Sequence, residues 1–275
     1  MADERIILDV RPAEAFAAGH LPGSGHLPES EWPARRSELP PREAEVLVVA
    51  ESPERARVAV VALESLGYSR VRALETPLAN LGADCVTSPA RPLWRPTPWL
   101  ASSIARFGAE VPAGPAADLA SGSGRDAVFL AARGYDVEAW DRAPEALARA
   151  VELARVSGVH VTPVECDLEH DRPPLPRSRY ALITCFRFLD RRLFARIREA
   201  LIPGGIVIQQ TYRRGQERFG RPKRAQYLLD DGELARAYQG FEILDSEERT
   251  PAEGPITAAI VARRADEIAD RAPGD

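Results

Sequence analysis

The sequence predicts an α/β chain of two domains, and three observations predict it. Its 275 residues exceed the usual size of one domain. Apolar strand segments alternate with helix-period segments on both sides of a proline-rich interruption at 76–98. Residues 116–141, AADLASGSGRDAVFLAARGYDVEAWD, read as strand, glycine loop, helix and strand, which is the βαβ half of a nucleotide-binding sheet.

The expected organisation is a small α/β domain over 1–81, a linker over 82–97, a larger domain over 98–265 and a disordered tail over 266–275. Arg5 to Val10 predicts the first strand, and RPAEAFAAGHLPGSGHLP a short helix and a glycine-proline turn. Glu45 to Ala50 predicts a second strand, the loop ESPER follows, and an amphipathic helix runs from Ala56 to Leu66, where Gly67 stops it. Val71 to Leu74 closes this unit as a third strand.

In the larger domain, Trp99, Leu100, Ile104 and Phe107 recur at helical spacing and predict a helix packed on the sheet. Strands follow at Ala116–Leu119, at Tyr135–Trp140 ending on Asp141, and at Val161–Cys166 ending on Asp167. Gly122 and Gly124 let the chain turn tightly and bring backbone N–H groups near a ligand, and Arg133 followed by Gly134 stops the intervening helix. A fourth strand is expected at Tyr180–Cys185, a helix at Arg191–Leu201, and a fifth strand at Ile206–Tyr212 after Pro203-Gly204-Gly205. A helix over Asp231–Tyr238 precedes FEILDSEER and ITAAIVARR, which read as a β-hairpin.

Two cofactors fit this half. Gly122-Ser-Gly124-Arg-Asp-Ala127 satisfies the loose dinucleotide pattern, with Asp141 at a suitable distance to hold a ribose. Against a dinucleotide stands Asp118, a carboxylate just before the loop, which would repel a pyrophosphate and welcome a cationic amino-acid group. S-adenosylmethionine carries such a group and no phosphate. Three strand-end acids, Asp118, Asp141 and Asp167, favour the methyl donor, although single strand-end aspartates are commonly caps or turn formers.

On GSGRDAVFLAARGYDVEAWDRAPEALARA at 122–150, PGG at 203–205 and LLDDGELARAYQGFEIL at 228–244, the chain resembles class I S-adenosylmethionine-dependent methyltransferases, in particular the tellurite-resistance and thiopurine-methyltransferase-like group. The resemblance covers about 93–264 and implies a Rossmann-like, mostly parallel sheet with a C-terminal antiparallel hairpin. It implies that Asp118, Gly122 and Gly124 line the methionine end of the cofactor, Asp141 the ribose, and Asp167 with Leu168 the adenine. It places Ala120, Arg142 and Cys185 in the same cofactor set. Ala120 departs from the family, which has glycine there, and its methyl group would narrow the groove.

The LDVRPAEAFAAGHLPG segment resembles rhodanese domains over 5–81. In that family the loop after the second of these strands bears a sulfur-carrying cysteine, and Ala50 occupies the position here. Alanine offers no thiolate, and Glu51 and Glu54 oppose anionic substrates and a low thiol pKa, so an inactive domain that recognises a protein partner is expected. Asp9 and Arg11 read as a structural pair, and His20 and His26 as turn residues. Cys85 lies beyond the expected domain, with nothing near it in sequence to activate it.

A net charge of −5 argues against a general nucleic-acid binder. The segment RRGQERFGRPKR, Arg213 to Arg224, nevertheless holds six basic residues and one acid. It reads either as a solvated loop or as an anion-recognising lid, because it leaves a strand end where open α/β sheets place their ligands. Phe186, Arg187, Gln210, Tyr212 and Arg213 are the expected substrate wall. Arg187, Tyr212 and Arg213 are the strongest candidates, and ion pairs to neighbouring acids are the alternative for the two arginines. The place after the fourth strand reads TCFRFLD, which disfavours the amino-group acceptors whose enzymes carry an Asn/Asp-Pro-Pro-aromatic turn there. His160, Cys166, Asp167, His170 and Asp171 match no common metal-ligand spacing, so no metal is expected.

No apolar run of 18 residues exists, and MADERIILDV lacks the basic start and apolar stretch of a signal peptide, so the expected location is the cytoplasm. Three scattered cysteines predict reduced thiols. The expected function is methylation of a small molecule, a thiol or a chalcogen oxyanion. The alternatives are an RNA methyltransferase using the basic segment and a non-enzymatic protein that senses the cofactor or binds a partner.

Overall fold

The computed structural model describes residues 5–77, 80, 85–170, 175–252 and 254–265. The chain divides into two compact units, 1–95 and 96–275.

The first unit contains β1 (Ile6–Asp9), α1 (Ala13–Ala18), β2 (Ser24–His26), β3 (Val46–Val49), α2 (Pro53–Ser65) and β4 (Val71–Ala73). Its four strands pair in parallel in the order β2-β1-β3-β4. Leu8, Val46, Val48, Ala59 and Leu63 are fully buried between sheet and helix, as alternation in the strands and helical spacing in α2 require. The helix α2 begins three residues before the expected Ala56, because Ser52 accepts a hydrogen bond from the Arg55 amide (3.3 Å) and Pro53 suits the first helical position.

The sequence predicts a turn where β2 forms. The strand is only three residues long, and its small residues, Ser24 and Gly25, carry no hydrophobic period. Part of the expected linker at 82–97 also packs into this unit. Val86 and His20 exchange two backbone hydrogen bonds (2.8 and 3.0 Å), the Arg91 amide donates to Ser24, and Leu93 is buried in the core. Cys85 thus belongs to the first unit rather than lying beyond it. The expected tail at 266–275 lies outside the described residues.

The second unit contains α3 (Pro98–Phe107), β5 (Ala116–Leu119), α4 (Arg125–Ala131), β6 (Val137–Asp141), α5 (Pro144–Val156), β7 (Thr162–Glu165), β8 (Tyr180–Phe186), α6 (Arg191–Ala200), β9 (Leu201–Tyr212), α7 (Glu233–Ala237), β10 (Glu242–Arg249) and β11 (Thr257–Arg263). The sheet order is β10-β11-β9-β8-β5-β6-β7, parallel except for β11, which runs antiparallel to both β9 and β10. This is the expected α/β architecture with its C-terminal antiparallel hairpin. All seven residues of β8 are buried, as a central strand covered on both faces demands. The sequence-read turn Pro203-Gly204-Gly205 is drawn into β9, where the pairing with β8 shifts register between Tyr180 and Leu182.

The position of β5 decides where a ligand goes. Its neighbours are β6 on one side and β8 on the other, so the chain order reverses at β5 and leaves a crevice outside its carboxyl end.

Candidate functional site

Two adjoining arrangements occupy the carboxyl edge of the second sheet. The first is a cradle formed by the loop after β5. Gly122 and Gly124 take positive φ (+55° and +76°), which glycine adopts without strain. Their roles differ. A Cβ at Gly122 would meet nothing within 4 Å, so its backbone is bare toward open space, whereas one at Gly124 would lie 2.4 Å from the Ala150 Cβ. Gly122 therefore admits a ligand, and Gly124 admits α5. The Asp141 carboxylate accepts from the Gly122 amide (2.8 Å) and the Ala143 amide (3.0 Å), which fixes it beside the loop and leaves further lone pairs on both oxygens.

Asp118 is 2% exposed and accepts from the Thr184 hydroxyl (2.8 Å), with the Ala127 amide also directed at its carboxylate. Its other oxygen makes no hydrogen bond among the described residues. Burial, and after it the charge of Asp126, holds this carboxyl well above the usual aspartate range. Asp126 stands at the start of α4 and accepts from both the amide (2.6 Å) and the hydroxyl (2.7 Å) of Thr97, the residue that opens α3. The leading helix is thereby latched to the cradle.

Asp167 follows β7 and is brought beside Asp141 by the hydrogen bond from the Cys166 amide to the Asp141 carbonyl (3.0 Å). It accepts from the Glu169 amide (2.9 Å) and contacts the His170 ring (3.1 Å). Leu168 is buried in the core, and Cys185 is fully buried on β8, where desolvation pushes its thiol far up. Their side chains therefore pack inward. Arg142 is exposed and pairs with Glu169 at 3.7 Å.

The second arrangement is a cavity of about 690 Å³ lined by Glu169, Arg187, Phe188, Leu189, Thr211, Tyr212 and the tip of the basic segment, Arg221 to Arg224, with Tyr227. The basic segment is a loop pinned at its neck. The Leu229 amide donates to the Tyr212 carbonyl (2.9 Å) and the Arg214 amide to the Leu229 carbonyl (3.0 Å). Arg191, at the start of α6, donates to the Gln226 and Leu228 carbonyls (2.9 Å each) while gripping Glu233 through both oxygens. The tip is thus carried over the ends of β8 and β9. Arg187, Arg221, Lys223 and Arg224 face the cavity, and among the described residues no carboxylate lies within 4.0 Å of any of them.

Arg187 and Tyr212 both line this cavity. Arg213 does not join them. It is 8% exposed and donates to Asp231 (2.6 Å), with Glu248 at 3.0 Å, so it fastens the loop neck to the turn before α7 and to β10. Spacing alone could not separate the two arginines, because the carboxylates that claim Arg213 lie 18 and 35 positions downstream.

A methyltransferase domain profile matches residues 116–205, and a rhodanese-like domain profile matches residues 1–79. The chain joins a rhodanese-like domain to a methyltransferase domain. The solved structure of TehB from Haemophilus influenzae matches 59% of this chain and 62% of that one, at 18% identity and a TM-score of 0.50. A putative sarcosine dimethylglycine methyltransferase from Galdieria sulphuraria matches 61% and 84%, at 15% identity and a TM-score of 0.50. The chain thus spans about three fifths of TehB, and at these identities the likeness is one of fold. No curated protein matches the chain.

Within the methyltransferase domain, sequence reading missed the Thr97–Asp126 latch and the cavity residues Glu169, Phe188 and Tyr227. Asp126 carried a signal, as an acid in the first turn of a helix, but its partner lies 29 positions upstream. The structure also brings ligand atoms of Asp167, Glu169 and His170 within 4.8 Å of one another. That grouping was invisible to a reading that weighed Asp171, outside the described residues, and left out Glu169.

In the rhodanese-like domain, Asp9 and Arg11 form the expected pair. It is buried, with the Arg11 Nη2 and Nε donating to the two carboxylate oxygens at 2.7 and 3.0 Å. His20 and His26 stack on either side of Phe16, and His26 lies in β2 rather than in a turn. Ala50 is buried just past β3, and residues 51–55, which lead into and begin α2, contain no thiol.

Proposed function

We propose that the second unit transfers a methyl group from S-adenosylmethionine to a small anionic molecule held in the cavity beneath the basic loop. The observation that carries this reading is the adjacency of a cradle whose Asp118 oxygen has no hydrogen-bond partner to a cavity lined by four cations that, among the described residues, have no carboxylate within 4.0 Å. The methyl donor is S-adenosylmethionine. Bound, it supplies an electrophilic methyl group on a sulfonium.

The free oxygen of Asp118 would hold the amino group of the donor, the bare backbone of Gly122 would let it approach, and Asp141 would accept from the ribose hydroxyls. Asp167 would reach the adenine. The latch between Thr97 and Asp126 keeps α3 against the cradle and helps exclude water, which is the principal demand of an in-line displacement. Arg187 and the loop tip orient the acceptor by charge-assisted hydrogen bonds. A thiol or chalcogen nucleophile needs little help from a general base, which suits a wall whose charged groups, Glu169 apart, are cations. The four cations converge on one cavity rather than spreading over a face, which favours a small anion over RNA. The cytoplasm, where thiols stay reduced, suits the three free cysteines.

Calorimetric titration tests the reading. S-adenosylmethionine is expected to bind and NAD not to, with Asp141→Ala weakening the donor at least tenfold. Preference for NAD, or donor binding indifferent to the substitution, would overturn the assignment of the cradle.

A further inference from the structure

The composition of the cavity wall narrows the acceptor. A four-atom oxyanion needs about two water volumes, on the order of 60 Å³. The cavity offers about 690 Å³, within the range of sites for drug-sized organic ligands. Its wall is of two kinds. Phe188, Tyr212 and Tyr227 are half-buried aromatic rings, and Leu189 is a buried aliphatic contact beside them. Arg187, Arg221, Lys223 and Arg224 are exposed cations facing, among the described lining residues, a single carboxylate, Glu169. A bare oxyanion would use the charges and leave the rings idle, and a neutral ring would do the reverse.

Arg187 adds an independent observation. Its φ is +56°, a left-handed conformation that costs a side-chain-bearing residue roughly 1–2 kcal/mol. Its amide is held there by the Gln210 carbonyl at 2.9 Å. An exposed arginine kept in a strained backbone at a strand end, with Asp126 as a charge neighbour but no carboxylate within 4.0 Å among the described residues, is held for something other than stability.

Resting on the reading that this cavity holds the methyl acceptor, we infer that the acceptor is a ring-bearing organic acid with more than one negative charge. The ring lies among Phe188, Tyr212 and Tyr227, and its acid groups bridge Arg187 on the fixed strand edge to Arg221, Lys223 and Arg224 on the loop tip.

Four probes separate ring from charge, titrated by calorimetry into the full chain saturated with S-adenosylhomocysteine. Benzene-1,3,5-tricarboxylate carries both, citrate carries charge without a ring, benzoate carries a ring with one charge, and selenite is a bare oxyanion. The tricarboxylate is expected to bind at least tenfold more tightly than each of the others, and less tightly as salt rises. Arg221→Ala with Lys223→Ala should weaken it at least tenfold. Arg187→Gly should weaken it similarly while raising the melting temperature, because glycine relieves the strain; a folding defect would lower it. Selenite or citrate binding as well as the tricarboxylate would overturn the inference and leave the methyltransferase reading intact. Failure of S-adenosylhomocysteine itself to bind would instead overturn the reading on which it rests.

Discussion

Asp118 shows how one buried atom can tie stability to ligand binding. Its folded pKa is raised, so the native state holds the proton more tightly than the unfolded chain does. Stability from this group is therefore present below the ordinary aspartate value of about 4 and is lost as pH rises toward the raised value. Asp118→Asn is expected to stabilise the ligand-free protein at neutral pH by roughly 1–2 kcal/mol, since an amide is cheaper to bury than a carboxylate. It should also flatten the dependence of melting temperature on pH. A cation placed against the free oxygen lowers the pKa again, so donor binding just below the raised value should release a proton. Calorimetry in two buffers of different ionisation enthalpy measures that release. An unchanged heat in both buffers, or a destabilised Asn variant, would count against this account.

At the scale of elements, the basic loop draws its shape from both ends and its purpose from its tip. Its neck is closed by β9 and by Leu229, and its far limb is gripped by Arg191. Arg191→Ala removes bonds to two loop carbonyls and the pairing with Glu233. The expected result is a severalfold rise in acceptor KM with donor affinity unchanged, checked by steady-state kinetics beside donor calorimetry. A loss of donor affinity of the same size would mean that Arg191 supports the sheet and not the loop. The elements themselves were mostly legible in the sequence, because β5, β6, β8 and β9 are apolar runs bounded by glycine, proline or aspartate. The strand β2 was not, since pairing rather than side-chain period defines it. The cradle acids were legible because each lies at or near the carboxyl end of a strand: Asp118 within β5, Asp141 ending β6 and Asp167 just past β7. The cavity was not, because Arg187, Tyr212 and Arg221–Arg224 meet only through a loop fold whose fastening residues, Arg191 and Leu229, look unremarkable in sequence.

At the scale of the whole molecule, each unit has its own core and its own sheet, with a carboxyl edge where its parallel strands end. In the rhodanese-like unit that edge offers Ala50, with Glu51 exposed beside it and Arg55 within 3.8 Å of Glu29. Sulfur transfer needs a thiolate at the loop, and the only cysteine of this unit, Cys85, lies outside it. The full chain treated with thiosulfate is expected to carry no persulfide and to give no thiocyanate with cyanide. Mass spectrometry of Cys85 would detect the contrary result, which would restore the unit as a sulfur carrier.

The latch of Thr97 on Asp126 and the neck of the basic loop fasten different walls, and this sets the traffic through the methyltransferase. One wall borders the cradle and the other the cavity, so on the proposed reading the two ligands are expected to come and go by separate doors. Neither would need to wait for its neighbour, and turnover is expected to have no obligatory sequence of arrivals and departures. Product-inhibition patterns would show this as random order, and strictly ordered patterns would mean that the two doors open together.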